Sequence, residues 1–250
     1  MLACTTDAFY SGDLATASTT SSAALAALSA EPTTRSYRKA LLQRCALLDY
    51  LGDTPAAYRE GLRLRALARV ASDRAMHAES ELVLGLAKAR RSHLTDARKA
   101  LLRGVQLSRS CARPDVEAKL LANAALVVFL EDRAQGQRFG EQALAAALEA
   151  ANEFLIARAH LGLALMLAAG GRDHEARAAL ENGRDACHSE NPLWRAGLAA
   201  WIWKVRAAAA GYGLHDGNLG GTPSVVASSF ELLRTGPTQL AAPVDRTGTG

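Results

Sequence analysis

A step of 40 residues runs through this sequence, and a period of that length leaves few folds open to it. Gly12-Asp13 and Gly52-Asp53 are one step apart, each with Tyr two places before the glycine (Tyr10, Tyr50) and Ala five places after it (Ala17, Ala57). The next steps land on Ser92, then after a one-residue contraction on Glu131, then on Gly171 and Gly211. Ten residues before these six points stand Leu2, Leu42, Leu82, Leu121, Leu161 and Trp201; six before them stand Thr6, Ala46, Leu86, Ala125, Leu165 and Val205. The two sets are i and i+4 neighbours on one helical face. Five residues after the points come Ala17, Ala57, Ala97, Gly136 and Ala176, small side chains where a second helix must approach the first; Asp216 breaks this pattern in the last copy.

The unit is therefore a first helix of roughly 15 residues, a tight turn and a second helix of similar length. One such pair cannot cover both of its apolar faces, so neighbouring pairs must stack. The predicted fold is all-α, a tetratricopeptide-like right-handed superhelical solenoid of about five to six helix pairs. Composition agrees: aromatic residues are 5% of the chain, while Ala and Leu dominate a hydrophobic fraction of 49%, which favours helix over strand. Breaks between pairs are expected at Glu31-Pro32-Thr33-Thr34, around Asp73, at Ala112-Arg113-Pro114, at Ala151-Asn152-Glu153 and at Ser189-Glu190-Asn191-Pro192. The solenoid is assigned to residues 1–210, capped by the Trp-bearing helix 194–210. Residues 211–250, rich in Gly, Pro and Thr, read as a flexible tail with one short amphipathic helix at 224–234. The first copy is already in mid-repeat at Met1, as expected of a chain clipped from a longer ancestor.

The runs Leu161-Gly162…Ala169-Gly170-Gly171-Arg172-Asp173…Ala176 and Tyr10-Ser11-Gly12-Asp13-Leu14-Ala15-Thr16-Ala17 resemble tetratricopeptide-like repeats. The period exceeds the 34 residues of the standard repeat. With its Ala- and Arg-rich helices, it resembles the superhelical segment of the large ATP-dependent LuxR-type transcriptional regulators of bacteria. That resemblance implies partner or inducer sensing. It does not extend to the nucleotide-binding and helix-turn-helix domains of those regulators, since the sequence has no GxxxxGK[ST] and Pro223, Pro237 and Pro243 interrupt the tail.

Chemistry is narrowed by elimination. Cys4, Cys45, Cys111 and Cys187 are widely spaced, with neither CxxC nor zinc-ligand spacing, which points to a reducing, cytoplasmic setting. Cys45 falls seven places before the Gly52 turn, where Ala124 and Ala164 stand in other copies, and is read as core. His160 and His174, with Asp173 and Glu175 nearby, match no metal-ligand motif and are read as ordinary core or surface histidines. There is no GxSxG, HExxH or dinucleotide fingerprint, so no catalytic residue, cofactor or metal is assigned.

Charge is uneven. Residues 59–119 hold fourteen Lys and Arg against seven Asp and Glu, whereas 131–190 hold six against ten. Within the basic stretch Arg59 and Arg63, Arg65 and Arg69, and Lys99 and Arg103 are i, i+4 pairs on second helices, while Lys88, Arg90 and Arg91 crowd the turn at Ser92. Two readings compete: solvated faces paired with acids such as Glu60 and Asp96, or one lined side of the superhelix that attracts an acidic peptide or a phosphate-bearing ligand. The stretch contains no Phe, Trp or Tyr, which argues against nucleic acid. The candidate partner-binding residues are Arg63, Lys88, Arg90, Arg91, Lys99 and Arg103, with Trp201 and Trp203 in the cap helix. The expected function is a non-catalytic module that binds a protein, peptide or small inducer in a regulatory system and does not engage membranes. An enzyme using the superhelix as a substrate cradle and a vestigial regulator fragment are the alternatives.

Overall fold

The computed structural model describes residues 4, 5, 8 and 13–186. The cap helix with Trp201 and Trp203, the break at 189–192 and the tail lie outside these residues. Among them are nine helices: α1 (Leu14–Ala27), α2 (Arg35–Tyr50), α3 (Thr54–Val70), α4 (Arg74–Arg90), α5 (Leu94–Ser110), α6 (Pro114–Phe129), α7 (Arg133–Glu149), α8 (Glu153–Ala169) and α9 (Asp173–Asp185). No described helix is long and apolar enough to cross a membrane.

The period comes from how each helix stops. After Tyr50 the chain passes through Leu51 into Gly52 at φ 81°, and the Asp53 amide donates back to the Leu48 carbonyl at 2.9 Å. This 6→1 bond with a left-handed residue before it is a Schellman ending. It recurs with Ser72 (φ 52°), Ser92 (61°), Ala112 (50°), Ala151 (48°) and Gly171 (74°), closed by the amides of Asp73, His93, Arg113, Asn152 and Arg172. The residue that closes one helix then starts the next. Asp53, Asp73 and Asn152 accept from the amides of Ala56, Met76 and Leu155 at 3.0, 3.0 and 3.1 Å, a cap that contributes about 1 kcal/mol. Each connector thus needs only three residues, and a 17-residue helix plus connector fills half a period. The single contraction lies at α6, which has 16 residues and ends through Leu130 in a right-handed conformation, with no left-handed residue after it.

Each helix packs on the next along the whole series, giving a helical solenoid. First helices of successive pairs also touch directly, α2 with α4, α4 with α6 and α6 with α8, while no such layer of contacts joins successive second helices. A stack whose helices approach more closely on one side curves toward that side, so the first helices form the inner, concave wall. Burial follows the same division: α4, α6 and α8 are covered over most of their length, whereas α5, α7 and α9 bury one stripe.

The centre of the core lies one residue from where the apolar pattern places it. The positions seven before the turn, Cys45, Gly85, Ala124 and Ala164, are all buried. Leu42, Leu82 and Leu86, from the ten- and six-before positions, are only half-buried, and Ala46 is exposed. Later in the array Leu121, Ala125, Leu161 and Leu165 are buried. The small residues five after each turn fulfil their expected role: Ala17, Ala57 and Ala97 are wholly buried. At Gly136 an added Cβ would lie 2.6 Å from the Cα of Phe129, so α6 and α7 meet backbone to backbone.

Candidate functional site

The basic side chains of the central stretch divide among several partners. Arg63 on α3 lies over the Tyr37 ring, 5.3 Å from its centroid, and 3.9 Å from Glu60. Arg90, near the end of α4, is committed to Asp49 of α2 through Nε and Nη2 at 2.7 and 2.9 Å, with its side chain 8% exposed. Arg103 on α5 meets the Glu81 carboxylate at 3.0 Å, where Arg65 and His77 also converge, each at 3.6 Å. Lys88, Arg91 and Lys99 have no side-chain hydrogen bond or ion pair among the described residues. Of the acids expected to answer this charge, Glu60 does so, against Arg63 and Arg44. Asp96 does not, and the main partners are Asp49 and Glu81.

Glu81 occupies a core position, eleven before its turn, where Leu41 and Leu120 stand in neighbouring copies. Its side chain is 3% exposed. The two guanidiniums, Arg65 from α3 and Arg103 from α5, with the His77 imidazole of α4 beside them, make that burial tolerable. Beside it, burial lowers the pKa of His77, Arg69, Arg65 and Arg103 push the same way, and Glu81 opposes them.

A second polar series joins first helix to first helix along the inner wall. Asp49–Arg90 links α2 to α4. Lys119 Nζ lies 3.2 Å from Glu79 Oε1, linking α4 to α6. Arg158 Nη2 donates to Asn123 Oδ1 at 3.0 Å, linking α6 to α8, and Asn123 Nδ2 is itself fixed on the Lys119 carbonyl at 2.6 Å. Asn123 is 1% exposed. Arg158 keeps contact with solvent, yet it is surrounded closely enough that burial lowers its pKa, with the Asp49 charge acting in the opposite sense. That α2 bears on α8 across two intervening first helices fits a concave wall. The sequence reading missed this series, although a signal was present. Glu79, Lys119 and Arg158 each stand six residues after the N-cap of their first helix, Asp73, Arg113 and Asn152.

The thiols and histidines have structural surroundings. Burial, with Glu60 adding to it, pushes the Cys45 thiol up to about 12, so it is un-ionised at neutral pH. Cys111 donates to the Leu107 carbonyl at 3.2 Å. His160 is half-buried and burial lowers its pKa. No group of three or more His, Cys, Asp or Glu among the described residues is placed to hold a metal ion. No protein-family model matches the chain, and no curated protein matches it.

Proposed function

We propose that this protein is a non-catalytic interaction module whose concave wall of first helices binds a peptide segment of a partner protein or a small inducer. The observation that carries this reading is the inner layer itself, α2, α4, α6 and α8 in direct succession, joined by Asp49–Arg90, Glu79–Lys119 and Arg158–Asn123 and bearing half-buried Leu82, Leu86 and Leu126. A surface of that mixture provides apolar area for affinity and fixed polar groups for register. The repeat style supports a regulatory, cytoplasmic role of the kind the superhelical segment of LuxR-type regulators performs. Of the basic residues first singled out, Arg63, Arg90 and Arg103 already hold carboxylate partners, whereas Arg158 on the inner wall meets only an amide oxygen among the described residues.

The test is selection of a displayed random-peptide library on the full chain, followed by photo-cross-linking of enriched peptides. A cross-linker placed at Leu126 on α6 is expected to capture them, and one at Gln142, exposed on α7, is not. Absence of any enriched peptide, or capture from Gln142 alone, would remove the concave wall as the binding surface.

A further inference from the structure

We infer that Arg158 anchors a binding site for a single oxyanion, a carboxylate or phosphate group, on the concave wall between α6 and α8. This deepens the interaction-module reading and rests on it. Four other charged groups stand in the inner-wall series, and they cancel in pairs, Asp49 with Arg90 and Glu79 with Lys119. Arg158 is the fifth. Its only hydrogen-bonding partner among the described residues is the neutral amide oxygen of Asn123, and no carboxylate lies within ion-pair distance of it.

A guanidinium has five N–H donors in a rigid fork, and here one amine is used. The rest of the fork is set rather than free, because Asn123 is itself buried and held on the Lys119 carbonyl. A desolvated cation left without a counter-charge is costly, and a planar fork with unused N–H groups, at a position that keeps contact with solvent, takes an oxyanion through two parallel bonds. Lys119, one helical turn before Asn123, is already paired with Glu79, so the charge offered to an anion is that of Arg158. The Asp49 carboxylate is no substitute for an external anion, since both of its oxygens are engaged by Arg90.

The test titrates the full chain with inorganic phosphate and, separately, with succinate, at an ionic strength held constant with chloride, and follows the thermal unfolding midpoint. A saturable rise with one or both probes is expected. The half-saturating concentration should be at least tenfold higher in Arg158→Met and unchanged in Lys99→Met, which removes an exposed cation that has no partner. A response to phosphate alone assigns the site to a tetrahedral group, and a response to succinate alone assigns it to a carboxylate. Should Arg158→Met not fold, Arg158→Lys keeps the charge without the fork and must weaken the response several-fold. No rise beyond chloride in the parent chain, or equal responses in parent and Arg158 variants, overturns the inference. Peptides that cross-link at Leu126 while neither anion acts would leave the concave-wall reading standing and remove this one alone.

Discussion

Ala151 and Ala112 hold φ at 48° and 50°, a conformation in which a Cβ crowds the following carbonyl at a cost of about 1–2 kcal/mol. Gly52 and Gly171 perform the same turn without that cost. Ala151→Gly is therefore expected to stabilise the chain by about 0.5–1 kcal/mol, the gain being partly offset by the freer unfolded chain. Urea unfolding measures it, and a destabilised variant would show that Ala151 contributes a contact worth more than its strain. Gly136 presents the reverse case. Its missing Cβ is the space that Phe129 backbone atoms occupy, at 2.6 Å from the Cα and 2.8 Å from the amide nitrogen. Although Ala favours helix, Gly136→Ala is expected to destabilise by about 1–3 kcal/mol because backbone, unlike a side-chain tip, cannot turn aside. An unchanged midpoint in the same assay would mean that α6 and α7 can separate at little cost.

Helix α4 carries two buried carboxylates. It buries Glu79 and Glu81, the latter where neighbouring copies place Leu41 and Leu120, and each acid is balanced from other helices, Glu79 by Lys119 of α6 and Glu81 by Arg65 of α3 and Arg103 of α5. A buried ion pair repays its desolvation only with good geometry, and an apolar replacement of similar volume is often neutral or better. Arg103 and Arg65 reach solvent, so both can rehydrate once the acid is gone. Glu81→Leu, matching Leu41 and Leu120 at the same place in the period, is therefore expected to leave stability unchanged or raise it by about 1–4 kcal/mol. Denaturant midpoints of parent and variant decide this. A loss of more than about 2 kcal/mol would show that the three-way contact holds α3, α4 and α5 in register.

The molecule as a whole is quasi-one-dimensional, each helix stabilised chiefly by its two neighbours in the chain, so stability should vary along it. Helix α1 is the weak end of the described array. Its sequence is Thr- and Ser-rich, and Thr19, Thr20 and Ser22 donate back to the carbonyls of Ala15, Thr16 and Ser18, bonds that compete with the helix ladder. It buries only Ala17, Ser21 and Ala24, whereas α6 buries nine residues. Hydrogen exchange of the native chain should show protection highest in α4, α6 and α8 and lowest in α1. Uniform protection from α1 to α8 would mean that the array unfolds as one cooperative unit.

The architecture was legible in the residues because its causes are local. Turn residues, capping side chains and small residues recur at fixed offsets, and each acts within a few positions of itself: Asp53 closes α2 and opens α3, and Gly136 admits Phe129. Even the contraction at Glu131 was visible, since a missing residue shifts everything after it. What the chain alone left undecided is which charges meet. Arg90 reaches Asp49 across 41 residues, Lys119 reaches Glu79 across 40, and Arg158 reaches Asn123 across 35. Those pairings depend on how far each first helix rotates and slides against the next, a property of packing summed over whole interfaces. Hence Arg63, Arg90 and Arg103, conspicuous in sequence, are engaged with carboxylates within the fold, while Arg158, inconspicuous there, has no ion-pair partner among the described residues.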